Sequence, residues 1–300
     1  MLTVVIPTRN REPELLRLVN NLLSLKDTFE VIIVDSSNAQ SHEKIITEHK
    51  RVRYIYTDIK SAAIQRNIGL SKISQSCKYV AFLDDDVMPN SEYFGKLVSL
   101  LRKKNAVGVS GLARNSKRQS SNKLNPFGDR LRKLFFLSSA NEGSVTKSGV
   151  NIPARIRNGP DYVVKVNWLI GCSVWNFQKI QGLRFNSNFF GQSLGEDVLF
   201  SLEASRRGSL YVDTSVILDH SESKLGRPSE FDFYRMWVGN RYVIVTELNG
   251  RRFQLEFHWS NLGKFIALAL TVYVHPIRRV QSMAGIFAGY YQIFELHNAS

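Results

Sequence analysis

A buried strand that ends in three consecutive carboxylates is the feature that most constrains this chain. The run from Tyr79 to Leu83 is apolar or aromatic throughout, and Asp84, Asp85 and Asp86 follow it directly. Such a run predicts a strand covered on both faces, and open α/β sheets place their ligands at the carboxyl ends of these strands. Clustered carboxylates repel one another unless a cation lies among them, and hard oxygen ligands suit Mg²⁺ or Mn²⁺. The alternative is a solvated acidic turn.

Alternating strand-like and helical segments through the first hundred residues predict an α/β fold with a doubly wound, mostly parallel sheet. The predicted strands are Leu2 to Ile6, Phe29 to Val34, Arg53 to Tyr56, the acid-ended strand and Ala106 to Ser110. The predicted helices carry Leu15 and Leu22, follow Ser41, span 62–73 and span 91–104. Residues 113–161 then lose the pattern, which predicts an insertion. Beyond it we expect a strand at 162–168, an irregular segment at 171–173, a helix at 196–207, short strands at 210–212 and 216–218, and a helical remainder.

The positive charge of the chain is concentrated in one segment. The formal net charge is +14, and residues 101–165 carry 14 Lys and Arg against three Asp and Glu. Nucleic acid, an anionic membrane and a phosphorylated acceptor are all attracted to such a patch. The alternative is a solvated basic loop.

Cysteine content and the first residues bear on the compartment. Cys77 and Cys172 are too few for a disulfide framework and lack metal-finger spacing, which favours free thiols in a reducing compartment. The chain enters an apolar strand at Leu2 without the sequence pattern of a secretory signal. We therefore expect a cytoplasmic protein.

Two further polar turns follow predicted strands, so they lie at the same sheet edge as the three carboxylates. Pro7-Thr8-Arg9-Asn10 follows the first strand, and Asp35 begins the turn after the second. Polar groups at this edge can hold a nucleotide.

Other candidate side chains lie near these turns or further along the chain. Arg66 is in a predicted helix, where its planar donor fork suits a base or a phosphate. Asp85 alternates to the opposite side of an extended backbone from its neighbours, so we expect it to tolerate substitution. Glu196 and Asp197 begin a helix, where the macrodipole favours an ionised acid, although a helix-capping role is the alternative. For His220, a packed or hydrogen-bonded histidine is the alternative to metal ligation.

Taken together and in order, seven motifs carry a resemblance to a known family. They are VVIPTRN, VIIVDSSN, IQRNIG, YVAFLDDDVMPN, GCSVW, GEDVLFSLEASRRG and ILDH. This series resembles the inverting family 2 glycosyltransferases of the GT-A fold over about residues 2–245. The family often has a second acid after the one at Asp35, where this chain has Ser36.

The resemblance implies specific roles. Asp84 and Asp86 would form the DxD pair that holds the metal and the donor, and His220 would stand where many members place an additional metal ligand. Asp197, beside Glu196, would be the general base. By the resemblance, Thr8, Asp35 and Arg66 would line the nucleotide pocket. Together with the polar turn and the acids described above, the predicted residues of the nucleotide site are Pro7, Thr8, Arg9, Asn10, Asp35, Arg66, Asp84 and Asp85. The cofactor would be Mn²⁺ or Mg²⁺, and the donor a nucleotide-diphosphate sugar.

A ten-residue apolar run near the carboxyl terminus indicates contact with a membrane surface. Residues 265–274 are half the length needed to span a bilayer, and Lys264, Arg278 and Arg279 flank them. We predict an interfacial helix; a buried helix or a contact between copies of the chain is the alternative. The predicted domains are a GT-A catalytic domain at 1–225, with a basic insertion at 113–161, and a helical, membrane-associating appendage at 226–300.

We therefore predict a metal-dependent inverting glycosyltransferase on the inner face of the cell membrane. It would move a sugar from a nucleotide-sugar donor to a hydroxyl of a lipid-linked surface glycan. A nucleotidyltransferase acting on sugar phosphates is an alternative, but it requires a glycine- and lysine-rich phosphate loop that residues 7–10 do not supply. A nucleic-acid-binding protein could use the basic segment, yet it would gain nothing from three clustered carboxylates.

Overall fold

The computed structural model describes residues 1–25, 29–38, 49–115, 126–155, 160–189, 193–220, 228–250 and 254–298. The chain forms two compact units that are interleaved in sequence. The first, the sheet unit, comprises residues 1–121, 154–187 and 196–226, and the second, the helical unit, comprises 122–153, 188–195 and 227–300. The functional division at residue 225 stays a prediction.

The described residues form nine strands and eight helices. The strands are β1 (Leu2–Thr8), β2 (Phe29–Asp35), β3 (Val52–Tyr56), β4 (Tyr79–Phe82), β5 (Val87–Met88), β6 (Gly108–Asn115), β7 (Val163–Val166), β8 (Ser173–Asn176) and β9 (Leu210–His220). The helices are α1 (Glu12–Ser24), α2 (Ala62–Ser71), α3 (Tyr93–Lys103), α4 (Pro126–Leu134), α5 (Glu196–Ser205), α6 (Glu230–Asn249), α7 (Leu255–Leu270) and α8 (Pro276–Asn298). The helix predicted after Ser41 falls largely outside the described residues.

All nine strands belong to one sheet in the sheet unit. Its order is β3-β2-β1-β4-β8-β6-β9-β5, and β7 pairs with β9. The strands β3, β2, β1 and β4 are mutually parallel, and so are β6 and β9, whereas the other pairs are antiparallel. The predicted α/β fold with a doubly wound sheet is confirmed.

Apolar residues of β1 alternate between two cores, one on each face of the sheet. Val4 belongs to the core that includes Leu18 of α1, and Val5 belongs to the opposite core with Phe200 of α5. Gly69 allows α2 to approach β1 closely, because a Cβ at this position would lie 2.3 Å from Val5 Cγ1. This close packing fixes α2, which carries Arg66, directly over the first strand.

Local predictions differ from the structure at several places. Strand β6 runs from Gly108 to Asn115 rather than from Ala106 to Ser110. Residues 173–176 form β8, a strand that was not predicted, and only Ser173 of the expected irregular segment 171–173 belongs to it. Leu210–His220 form one continuous strand rather than two short ones. The β7 ladder reaches Asp213, and Thr214 exchanges hydrogen bonds with Tyr162 just before β7, so the polar residues after Val212 stay extended. Part of the expected irregular insertion is helical, since α4 spans Pro126–Leu134.

The helical unit is built from α6, α7 and α8, together with α4. Ser229 caps α6, and its hydroxyl accepts a hydrogen bond from Asp232 N at 3.0 Å. The core includes Val238, Phe257 and Ile286, one from each long helix. None of the helices in the described ranges has the length and apolarity needed to cross a membrane.

A buried arginine ties the helices of this unit to the segment before β7. Arg241 of α6 is 4% exposed and donates to the Ser148 carbonyl through Nε at 3.1 Å and Nη2 at 2.6 Å. Its Nη1 donates to Asn261 Oδ1 at 2.9 Å, and Nη2 also donates to Ser260. The Trp237 ring centroid lies 4.0 Å from the guanidinium carbon. Burial lowers the Arg241 pKa to about 9.

Candidate active site

The carboxyl ends of β1, β2 and β4 lie side by side in the sheet unit. Thr8 pairs with Asp35 in the β1–β2 ladder, and Val5 pairs with Phe82 in the β1–β4 ladder. The Thr8 hydroxyl donates to Asp85 Oδ2 at 2.8 Å. The polar turn after β1, which begins at Arg9, therefore meets the acidic turn after β4, which contains Asp84, Asp85 and Asp86. Ligands bind at this edge of the sheet in such folds.

Asp85 is the most deeply buried of the three carboxylates in the acidic turn. It is 4% exposed, and its Oδ1 accepts a hydrogen bond from Arg11 Nη1 at 2.9 Å. Burial raises the Asp85 pKa to about 6, although Arg11 and Thr8 oppose the increase. The expected tolerance of Asp85 to substitution does not agree with these contacts. The alternation argument fails because β4 ends at Phe82, so the backbone at Asp85 is a turn rather than a strand.

Asp86 and His220 are neighbours because two distant segments form a ladder. In the antiparallel β5–β9 pair, Val87 lies opposite His220, which brings the preceding Asp86 to the same place. His220 Nε2 is 3.0 Å from Asp86 Oδ1, and Arg11 Nη1 is 3.5 Å from Asp86 Oδ2. A carboxylate oxygen and an imidazole nitrogen thus converge beside the acidic turn.

The Asp86–His220 pair fits a divalent ion that the substrate would help to coordinate. Within the described ranges, no three His, Cys, Asp or Glu side chains are grouped so that they could hold a metal alone. However, Mg²⁺ is usually held by one or two carboxylates with substrate phosphates and water, and adjacent octahedral ligands at about 2.1 Å lie about 3 Å apart. In the structure His220 Nε2 and Asp86 Oδ1 are hydrogen-bonded at 3.0 Å, which is the alternative stated for His220, and the same separation is compatible with two ligands of one ion.

Arg66 links the acidic turn to the start of α5. Its guanidinium is 3% exposed, donates through Nη2 to Asp84 Oδ1 at 2.8 Å, and forms an ion pair through Nη1 with Glu196. Burial disfavours the charge on Arg66, but Glu196, Asp84 and Asp197 outweigh it and raise the Arg66 pKa. Arg66, which we predicted to contact the nucleotide, thus lies between the acidic turn and the start of the helix that carries the predicted base, Asp197.

Glu196 and Asp197 stand in different environments although they are adjacent. Glu196 is buried against Arg66, whereas Asp197 is half-buried and accepts a hydrogen bond from Val198 N at 2.8 Å. Burial raises the pKa of both carboxyls, and Arg66 opposes the increase in each case. Asp197, with its greater exposure, is the more accessible proton acceptor of the two.

The turns at the ends of β1 and β2 are joined by hydrogen bonds. Asp35 is fully buried, and its Oδ1 accepts from Ser37 N at 2.8 Å while its Oδ2 accepts from Tyr54 Oη at 2.7 Å. Asn10 N donates to Ser37 Oγ at 2.7 Å, and Asn10 Oδ1 accepts from Asn38 N at 3.0 Å. The buried Asp35 carboxylate therefore supports the turn after β2, and Asn10 and Asn38 are among the exposed residues of the two turns.

The other residues predicted for the nucleotide site differ in exposure. Pro7 and Thr8 are buried in β1, whereas Arg9 and Asn10 are exposed just beyond it. Arg9 is thus the exposed cation at this end of β1, next to the acidic turn that Thr8 contacts.

Sequence reasoning missed two residues that organise this edge. Arg11 holds Asp85 and Asp86 together, and Gln65 Nε2 donates to both Thr8 O and Val34 O at 2.7 Å. Gln65 thereby fixes the ends of β1 and β2. Its position beside Arg66 in the IQRNIG motif was the available signal. Nothing local in the sequence pairs Arg11 with the acidic turn, because 74 residues separate Arg11 from Asp85.

Residues 3–149 match the sequence profile of the family described as Glycosyl transferase family 2. The chain thus carries a family 2 glycosyltransferase region over residues 3–149, just under half of its length. That region contains the first four of the seven motifs on which the prediction from sequence was based. No curated protein matches the chain.

Solved glycosyltransferase structures share the fold of this chain. S. aureus TarS is 17% identical, with 90% of this chain and 43% of that chain covered and a TM-score of 0.53. GalNAc-T7, solved with UDP, GalNAc and Mn²⁺, is 15% identical, with 82% and 48% covered and a TM-score of 0.59. The mannosyltransferase PcManGT from Pyrobaculum calidifontis, solved with GDP-Man and Mn²⁺, is 13% identical, with 97% and 86% covered and a TM-score of 0.58.

These likenesses agree with the GT-A fold predicted from the sequence. The chain spans less than half the length of TarS and of GalNAc-T7. At this level of identity the likeness establishes the fold, and the ligands of those proteins belong to those proteins.

Proposed function

We propose that this chain transfers a sugar from a nucleoside diphosphate sugar to a hydroxyl of a glycan acceptor, with inversion at the anomeric carbon. The observation that carries the proposal is the bridge formed by Arg66 between Asp84 of the acidic turn and Glu196 of the α5 start. The bridge brings a candidate metal and diphosphate site next to a candidate base. The match of residues 3–149 to Glycosyl transferase family 2 supports the same interpretation.

We assign Asp84, Asp86 and His220 to a bound Mn²⁺ or Mg²⁺. Asp86 and His220 already adjoin, whereas Asp84, whose Oδ1 accepts from Arg66, would have to move to join them when the ion binds. When bound, the ion would stabilise the negative charge that develops on the leaving diphosphate. The chain's own contribution is to hold these groups in place. Before the ion binds, Arg11 fixes Asp85 and Asp86, and Arg66 fixes Asp84.

Asp197 is the group we assign as general base. An acceptor hydroxyl is a poor nucleophile, so a carboxylate must take its proton while the oxygen attacks the anomeric carbon. The bond to the diphosphate breaks on the opposite face, and the nucleoside diphosphate leaves with the bonding electron pair. Glu196, held by Arg66, keeps the start of α5 in position for this step.

The nucleotide would bind at the ends of β1 and β2. The proposed contacts come from the edge described above, and they are Pro7, Thr8, Arg9, Asn10, Asp35, Arg66, Asp84 and Asp85. Exposed Arg9 and the exposed Asn10 side chain are the groups at this edge that reach a ligand without rearrangement. Asp35 and Thr8 act by shaping the turns.

We also propose that the acceptor is lipid-linked and that the chain binds the anionic inner face of the cell membrane. Support comes from a surface of the helical unit formed by α4 and α7. Trp259 of α7 is 42% exposed, and its Nε1 donates to Leu134 O at 3.0 Å. Arg130, Arg132 and Lys133 are exposed in the last turns of α4, the helix that ends at Leu134, and Lys133 also pairs with Asp129. Apolar and cationic groups on one surface are the two signals that peripheral membrane attachment usually requires.

Product analysis with purified protein tests the reaction class. In Mn²⁺, calorimetry should show binding of one nucleoside diphosphate in preference to others, and incubation with the matching sugar nucleotide should release that nucleoside diphosphate. Release of pyrophosphate from a nucleoside triphosphate and a sugar phosphate would instead identify a nucleotidyltransferase. Binding to arbitrary DNA with a steep salt dependence and no nucleotide binding would favour the nucleic-acid-binding alternative.

A further inference from the structure

Helix α8 is apolar on two opposite faces. One face packs on α6 within the helical unit, and its buried residues are Ser282, Gly285, Ile286, Gly289 and Ile293. The packing is close, since a Cβ at Gly285 would lie 2.4 Å from Phe231 O and one at Gly289 would lie 2.6 Å from Val238 Cβ. This face is fully used in holding α8 to its own unit.

The opposite face of α8 is exposed and apolar; we call it the α8 seam. Its residues are Ile277 (75% exposed), Val280 (55%), Ala284, Phe287 (65%), Tyr291 (65%) and Phe294 (62%). A large apolar face on a helix is normally covered by another element or by a partner. The seam is about 26 Å long at 1.5 Å per residue, so its exposure is too extensive for isolated surface side chains.

The spacing of the seam indicates what covers it. Successive seam residues are three, four, three, four and three positions apart. This is the 3.5-residue repeat with which one helix packs against another through knobs and holes. Helices that lie in a lipid interface instead carry Lys and Arg along their polar face, whereas α8 has none after Arg279. The pattern therefore favours a helix over a lipid surface as the occupant.

The positions beside the seam favour a second copy of the chain as the source of that helix. Charged residues at these flanking positions normally select the partner of a helix pair. Here the flanking residues are Gln281, Met283, Ala288 and Tyr290, which are uncharged, and only Glu295 carries a charge. A two-fold interface uses the same patch on both copies, so a neutral apolar seam is complementary to itself.

We propose that the α8 seam is the interface of a homodimer. The three aromatic side chains, at about 150–250 Å² each and about two thirds exposed, would contribute on the order of 300–500 Å² per copy. Together with Ile277 and Val280, the seam approaches the ~800 Å² per partner of a standard specific interface. The proposal does not depend on the glycosyltransferase reaction or on membrane binding.

Light scattering coupled to size-exclusion chromatography of the full chain tests the proposal. The wild type should elute as a dimer that dissociates on dilution, and Phe287→Glu should raise the dimer dissociation constant at least about 100-fold, because both copies lose an aromatic anchor. Phe287 also contacts Phe265, with ring centroids 5.5 Å apart, so Phe294→Glu serves as a second variant. The matched control is Leu248→Glu on α6, which is 38% exposed and lies outside both the seam and the α4–α7 surface.

Oxidative cross-linking gives a second readout. Both native cysteines are buried, so Ala284→Cys at the middle of the seam would place an accessible thiol beside the partner helix. It should form a covalent dimer, whereas Gly95→Cys, at an exposed position with open space around its Cβ, should not. A wild type that is monomeric at every concentration would overturn the proposal. So would a dimer that survives both seam variants, or a monomer whose binding to vesicles of anionic lipid is lost in Phe287→Glu, since the seam would then face lipid.

Discussion

Arg66 of α2 and Glu196 of α5 form a buried ion pair across 130 residues of sequence. The same guanidinium holds Asp84 at 2.8 Å, so one side chain fixes both the acidic turn and the start of the helix that carries Asp197. A positive charge at this point offsets three neighbouring negative charges that burial would otherwise disfavour. Any change at Arg66 therefore acts on both halves of the candidate active site.

Replacing Arg66 by Met should destabilise the fold as well as abolish turnover. Glu196 would be left buried without its counter-charge, which typically lowers the free energy of unfolding by about 3–5 kcal/mol. Urea denaturation measures the loss. Combining Arg66→Met with Glu196→Gln should recover part of it, and the double-mutant cycle gives the coupling energy. Equal stability of Arg66→Met and wild type would show that the pair does not form.

Asp86→Ala should abolish transfer and weaken binding of the nucleoside diphosphate in Mn²⁺. The reason is that a hard cation loses a carboxylate ligand and the diphosphate charge is left uncompensated. Calorimetry with and without EDTA measures the effect, and Asp84→Asn should be nearly as damaging. Asp219→Asn, an exposed change next to His220, is the matched control and should bind normally. Turnover by Asp86→Ala that resists EDTA would contradict the metal assignment.

Asp197→Asn should keep donor binding while kcat falls by roughly 10² to 10⁴, because the amide cannot accept the hydroxyl proton. A turnover assay beside nucleotide calorimetry separates the two effects. An equal loss of donor binding would give Asp197 a structural or metal-supporting role. If Glu196→Gln lowers kcat more than Asp197→Asn without unfolding the protein, the base is Glu196.

The rate should increase with pH through a pKa above the ordinary range of aspartate. Burial raises the Asp197 pKa, Arg66 opposes the increase, and only the ionised carboxylate accepts a proton. The lower limb of the kcat/KM profile belongs to the Glu196–Asp197 pair rather than to one residue. Any residual activity of Arg66→Met should show this limb moved to higher pH. A flat acidic limb would argue against a carboxylate base.

Full-length protein should float with vesicles that contain anionic lipid, and high salt should weaken the attachment, since salt screens one of its two components. Trp259→Ser removes part of the apolar component, and joint replacement of Arg130, Arg132 and Lys133 by Gln removes the charge; each should reduce binding. Tyr56→Ser is the control, because Tyr56 is 43% exposed, close to the 42% of Trp259, and lies in the sheet unit. Full-length protein that stays in the soluble fraction at low salt would remove the main support for a lipid-linked acceptor.

Elements with a strong apolar run could be predicted from the sequence, and short strands that depend on partners could not. The prediction of β1 and β2 is right to within two residues, because each is an uninterrupted buried run. Strand β8 is four residues long and exists as the antiparallel link between β4 and β6. Its preceding Gly171 and Cys172 carry no strand signal of their own, so the pairing partners determine the structure.

The candidate site shows the same limit. Asp84 and Asp86 could be proposed from the sequence because they follow an apolar run, and Glu196 and Asp197 because they begin a helix; the roles of all four stay predictions. Their partners were harder to assign, because ion pairs such as Arg11–Asp85 are set by how strands align across the sheet. Asp85 is the clearest case, since its neighbours reversed the expectation that its substitution would be tolerated.

The interleaving of the two units also limits how this chain can be synthesised and recombined. The Ser148 carbonyl, which accepts two hydrogen bonds from Arg241, leaves the ribosome more than ninety residues before that arginine. The helical unit therefore cannot complete its fold until nearly the whole chain has been translated. In the same way, a single crossover near residue 225 would separate α4 and the 146–150 turn from α6 and α7. A chimaera intended to exchange the helical unit must replace residues 122–153, 188–195 and 227–300 together.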